Sequence, residues 1–147
     1  MNNKKLLSLL MSLFMIITVL PTGAVISLAE SNEAVITVES ITATPGSKVD
    51  VKVSINNNPG ILGAIISLSY SEGLVLTNVA EGEAFSALSM TKPGKYQSPC
   101  QFTWDGVDLD DSDIKNGVIL TLSFDVSENA SEGDKYSVNI TDRKSVV

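Results

Sequence analysis

The amino-acid sequence predicts an all-β sandwich, and three observations predict it. Apolar and polar residues alternate with a period of two in one window after another beyond residue 34. Pro-Gly, Asn-rich and acidic clusters punctuate those windows at near-regular spacing. No window carries helical periodicity over more than three turns. Short strands separated by turn signals then stack as two antiparallel layers, without internal repeats or a low-complexity linker.

Residues 1–29 read differently. Met1-Asn2-Asn3-Lys4-Lys5 is a short cationic start, and Leu6 to Leu20 is an apolar run broken only by Ser8, Ser12 and Thr18. Pro21-Thr22-Gly23 ends it, and Ser27-Leu28-Ala29 puts small residues where a signal peptidase cuts, after Ala29, with Ala24 as the alternative. A membrane anchor is the competing reading. Fifteen helical residues span about 22 Å, short of a hydrocarbon core of about 30 Å. Residues 1–29 are therefore expected to be a secretory signal peptide, and residues 30–147 a single secreted domain of 118 residues with no second run of spanning length. Any attachment to a cell is expected to come from elsewhere.

The strands follow in order. Val35-Ile36-Thr37-Val38-Glu39 is the first, and Pro45-Gly46 turns the chain. Val49, Val51, Val53 and Ile55 alternate with Asp50, Lys52 and Ser54, the pattern of a half-buried strand. After the loop Asn56-Asn57-Asn58-Pro59-Gly60, the next strand runs from Ile61 to Tyr70, with Ala64, Ile66, Leu68 and Tyr70 sharing one parity. Leu74 to Val79 is another strand, and Glu81 to Ser89 is a short irregular or helical stretch holding Phe85 and Leu88. Cys100 to Asp105 alternates again, with Phe102 and Trp104 inward. An acidic loop leads to Val118–Val126, where Leu120, Leu122, Phe124 and Val126 share a face. Tyr136, Val138 and Ile140 then alternate with Ser137, Asn139 and Thr141.

Composition removes several functions. The chain has no His and one Cys, which excludes His-dependent triads, His-ligated metals and an internal disulfide framework. Cys100 reads as a small buried apolar residue, because a nucleophile would need a base and no imidazole exists. After the leader, eight bases face 17 acids, a net charge of −9 that repels nucleic-acid backbones. Hydrophobic residues at 44% exclude disorder as the main state.

Five blocks in this order resemble the cohesin family, the receptor modules of cellulosome scaffold proteins. They are Pro45-Gly46-Ser47-Lys48-Val49-Asp50-Val51; Asn58-Pro59-Gly60-Ile61 with a strand ending in Tyr70; Leu74 to Val79 followed by Gly82; Phe102-Thr103-Trp104-Asp105-Gly106; and Asn116-Gly117 through Val126. The Trp-Asp-Gly piece is most similar to ruminococcal cohesins, and the likeness covers residues 35–141. It implies a jelly-roll β-sandwich. The family's final strand, which pairs beside the first, has no counterpart in the pattern, so the domain is expected to be C-terminally incomplete and less stable than a complete cohesin.

The resemblance also implies a function. Cohesins bind dockerins, small helical calcium-carrying modules of enzymes or scaffolds, through a flat sheet made of strands eight, three, six and five. Parity then assigns the exposed side chains: Gly63, Ile65, Ser67 and Ser69 on the third strand, Gln101, Thr103 and Asp105 on the sixth, and Ser137, Asn139 and Thr141 on the eighth. Ile65 is the expected apolar anchor among small hydroxylic neighbours. Val107 and Leu109 extend the contact at the end of strand six. The expected protein is a monomeric, extracellular, non-catalytic module that needs no cofactor of its own, calcium belonging to the dockerin.

The same residues bear on other functions. The carboxylate run Asp105, Asp108, Asp110, Asp111 and Asp113 fails the EF-hand template, since Asp113 stands where Gly belongs and Ile119 where Glu belongs. It reads as a solvated acidic loop. A carbohydrate-binding module would stack sugars on exposed rings, but parity buries Trp104, Tyr70 and Tyr136, leaving Tyr96 as the one free ring. A glycoside hydrolase fragment would need a paired-carboxylate cleft, and no pair stands out. An adhesin-type sandwich is the remaining alternative.

Overall fold

The computed structural model describes residues 33–146. The expected leader lies outside them. Eight strands form: β1 (Val35–Val38), β2 (Lys48–Asn56), β3 (Gly63–Tyr70), β4 (Leu74–Glu81), β5 (Ser89–Thr91), β6 (Cys100–Asp105), β7 (Gly117–Val126) and β8 (Val138–Val146). They build two four-stranded sheets, ordered β1-β2-β7-β4 and β5-β6-β3-β8, with every pair antiparallel. Among the described residues the outer edge of β1 has no strand beside it. Next to it, a cleft of about 170 Å³ opens, lined by Ile36, Ile61, Ala64, Ile66 and Phe85.

Alternation places the core between the sheets. Val51, Val53 and Ile55 from β2 meet Ala64, Ile66 and Leu68 from β3, with Phe102 and Trp104 from β6 and Leu120, Leu122 and Phe124 from β7. Each large aliphatic or aromatic side chain fully withdrawn from water contributes about 1.5–3 kcal/mol. Two edge-to-face contacts knit the aromatics, Tyr70 on Phe124 at 5.2 Å and Phe85 on Trp104 at 5.5 Å. The first crosses from one sheet to the other. No polar or charged residue is buried among the described residues, and the indole Nε1 of Trp104 is the one buried side-chain polar atom without a partner.

Three bulges bend the expected pattern. Val53 pairs with Leu120 while Ser54 pairs with Val118, so Ile119 is an extra residue and both Ile119 and Leu120 turn inward. Leu76 and Asn78 pair with consecutive residues of β7, which leaves Thr77 unpaired and shifts the buried positions to Leu76 and Val79. In β8, Thr141 is the extra residue between the Leu68–Ile140 and Ser67–Asp142 pairs. The last strand also departs from expectation at both ends. It starts at Val138, because Ser137 is held outside the ladder by Ser71, whose hydroxyl accepts its N–H at 2.8 Å. It continues past Thr141 to Val146, paired with Gly63.

Candidate partner-binding face

The ladder between β3 and β6 fixes which side chains face out. Ala64 lies opposite Trp104, Ile66 opposite Phe102 and Leu68 opposite Cys100, and all six are buried. The intervening pairs Gly63–Asp105, Ile65–Thr103 and Ser67–Gln101 therefore point away from the core. Ile66 is 0% exposed, so it is Ile66 and not Ile65 that belongs to the interior. β8 adds Asn139, opposite Ser69, and both Asn139 and Thr141 are exposed. Seven of the expected residues from β3 and β6, together with Asn139, thus share one face, but Gly63, Ile65, Ser67, Ser69 and Thr103 are half-buried by their neighbours and not exposed as expected.

Sequence reasoning missed part of this face. β5 pairs Ser89 with Asp105 and Thr91 with Thr103, which adds two exposed hydroxyls beside β6. The signal was a polar-apolar-polar triplet around half-buried Met90, too short to show alternation. Gly63 has ordinary room, since an added Cβ would sit 3.5 Å from the Trp104 carbonyl. The packing beneath it therefore does not require a glycine there.

The loop after β6 is braced to the sandwich. The Gly106 N–H donates to the Leu62 carbonyl at 2.8 Å. Leu109 is half-buried and packs against the core, so of the two apolar loop residues only Val107 stands in solvent, at 101% exposure. A short 3-10 turn at Asp111–Asp113 is closed by the Asp113 N–H donating to the Asp110 carbonyl at 2.8 Å. The Asp113 carboxylate accepts the Asp110 N–H at 3.2 Å, and the Asp108 carboxylate accepts the Leu109 N–H at 3.0 Å. At the loop's far end Asn58 donates through its side chain to the Lys115 carbonyl at 3.0 Å and through its backbone to the Asn116 side chain at 2.9 Å. Among the described residues, no three Cys, Asp or Glu side chains converge to hold a metal ion.

Two features bear on the competing functions. Tyr96 is not the free ring the sequence suggested: it is half-buried, its ring lies 6.3 Å from Phe102, and its carbonyl accepts the Tyr70 hydroxyl at 2.6 Å. Among the described residues no aromatic side chain is exposed. Cys100 is buried, and burial pushes its thiol pKa up, away from thiolate chemistry. The larger groove, about 390 Å³, belongs to the other sheet and contains the Lys48–Asp125 ion pair.

These observations define a β-sandwich module with one sheet face made mostly of small and polar side chains around Ile65. The sequence profile of the Cohesin domain family matches residues 34–146, and the chain belongs to that family. No curated protein sequence matches it. Among solved structures, it is similar to the sixth cohesin from scaffoldin B of Acetivibrio cellulolyticus, solved in complex with a Cel5 dockerin mutant. That match has 20% identity and a TM-score of 0.59, covering 76% of this chain and 84% of the other. The seventh ScaB type I cohesin of Pseudobacteroides cellulosolvens matches at 21% identity and TM-score 0.60, covering 73% of each chain. A type III cohesin module from the ScaE cell-surface anchoring scaffoldin of Ruminococcus flavefaciens matches at 20% and 0.60, covering 73% of this chain and 64% of the other. At these identities the likeness is one of fold.

Proposed function

We propose that this chain is a secreted, non-catalytic receptor that holds a dockerin-bearing enzyme or scaffold against the β8-β3-β6-β5 face, as part of an extracellular polysaccharide-degrading assembly. The observation that carries the reading is the outward row Gly63, Ile65, Ser67 and Ser69, small residues around one isoleucine on a rigid sheet. A helix can lie close on such a surface, and the hydroxyls donate or accept as the partner requires. Membership of the cohesin family supports it, and so do relatives of the same fold solved as complexes with dockerins. The contact should bury about 1,200–2,000 Å² in total. Calcium is needed by the dockerin and not by this chain. Secretion rests on the leader-like residues 1–29, and N-terminal sequencing of the exported protein should begin at Glu30.

Calorimetric titration against calcium-loaded dockerins tests the proposal. Ile65→Asp should weaken binding at least tenfold while the thermal melt stays in place. Unchanged affinity removes Ile65 from the site, and absence of binding by the unaltered chain to any dockerin of its own genome refutes the reading.

A further inference from the structure

We infer that Lys92 guards the open edge of β4 and keeps this chain from pairing strand to strand with a second copy of itself. The guard is independent of the dockerin reading, and four observations lead to it.

The first is position. β4 ends the sheet β1-β2-β7-β4, so its outer side has no strand beside it among the described residues. The ladder fixes which backbone groups look out. Gly82 donates its N–H to the Ile119 carbonyl at 2.8 Å, so Gly82, and Ala80 two residues before it, address β7. Val79 and Glu81 alternate with them and turn their N–H and C=O groups to the open side.

The second is composition. β4 has eight residues, against four in β1 and three in β5. Leu74-Val75-Leu76-Thr77-Asn78-Val79-Ala80 carries no charge, no Pro and no Gly, and Val75 is 61% exposed. A long, uncharged, β-prone segment on a sheet edge is a template for pairing with identical segments of other molecules.

The third is the lysine itself. The Lys92 ammonium donates to the Val79 carbonyl at 2.8 Å, an outward acceptor that an added strand would need. Among the described residues Lys92 pairs with no carboxylate, so the edge carbonyl is the partner its charge has found. Lys92 follows directly on β5, an edge strand of the other sheet, so its side chain crosses the open side of the sandwich. A strand docking there would have to displace a hydrated cation from the edge. The fourth is the bulge. Thr77 is the extra residue between the Leu76–Phe124 and Asn78–Ser123 pairs, and its hydroxyl donates to the Ser123 carbonyl at 3.0 Å. The bulge interrupts the regular edge, and Lys92 closes the run beyond it.

Sedimentation velocity of the exported chain and of Lys92→Met, over a rising concentration series, tests the guard. Methionine keeps an unbranched apolar stem and removes the charge and the donor. Lys92→Met should self-associate at a concentration at least tenfold lower than the unaltered chain. Lys95→Met, in the same turn, should behave as the unaltered chain does. Hydrogen exchange of the associated Lys92→Met sample should slow at the Val79 and Glu81 amides. If Lys92→Met stays monomeric over the whole range in which the unaltered chain does, the guard is refuted. Slowed amides on β1 instead of β4 would also refute it, by making β1 the pairing edge. So would exchange that quickens throughout the sandwich, because association would then follow from unfolding.

Discussion

The two sheets turn different surfaces to solvent, and the difference supports the proposal that the β5-β6-β3-β8 face is the one a partner covers. On the β2–β7 side several outward residues are charged, and some are engaged with one another. Lys48 pairs with Asp125 at 2.6 Å, Ser123 donates to Asp50 at 2.6 Å, and Thr77 donates to the Ser123 carbonyl at 3.0 Å. A partner laid there would have to strip water from exposed ions that already have a protein partner. On the β3–β6 side, Ile65, Ser67, Gln101 and Thr103 make no side-chain-to-side-chain bond with any described residue. Short uncharged groups with spare bonding capacity cost little to desolvate and can be satisfied by a partner. Both faces come from the same alternating pattern on the same core, so the contrast lies in the outward residues alone.

Four substitutions and one change of pH should break or sharpen that contrast. The largest effect should come from the core both sheets share. Phe124 is fully buried on β7 and meets Tyr70 of β3. Phe124→Ala should cost about 3–5 kcal/mol in chemical denaturation and weaken both faces together. Next, Ile65→Asp should lose at least about 1.4 kcal/mol of binding, the equivalent of tenfold. Lys52→Ala, at the matching place on the other sheet, should lose none in the same titration.

Alkali should act through the core. Burial pushes the Tyr70 hydroxyl above its ordinary 10.0, helped by the neighbouring Cys100, and burial raises Cys100 above 9.0. The folded chain thus keeps protons that the unfolded chain gives up. Stability from this source is whole below pH 9 and falls as pH rises past 9 and then 10, as denaturation midpoints across that range should show. Smallest of all, Lys48→Ala removes an exposed ion pair and should change stability by less than about 1 kcal/mol.

Much of this was legible in the sequence, for a specific reason. Period-two alternation survives wherever a strand is regular, so the inward set of β3 and β6 and the outward Ile65 could be read from parity. Bulges defeat the same logic. Ile119 and Leu120 are neighbours that both turn inward, and Thr141 interrupts a strand that runs on to Val146. β5 held too few residues to alternate, so Ser89 and Thr91 went unseen. Loop side chains obey no period at all. Tyr96 folds back on Phe102, and Leu109 packs inward while Val107 stands out, for reasons of tertiary contact that no local pattern encodes.

The central claim is that a partner covers the β5-β6-β3-β8 face and leaves the other sheet in water. Amide NMR of the chain titrated with a calcium-loaded dockerin tests it most directly. Shifts should concentrate at Ile65, Ser67, Gln101 and Thr103, with Lys52, Thr121 and Ser123 unmoved. Shifts centred on Lys52 and Thr121 instead would contradict the account.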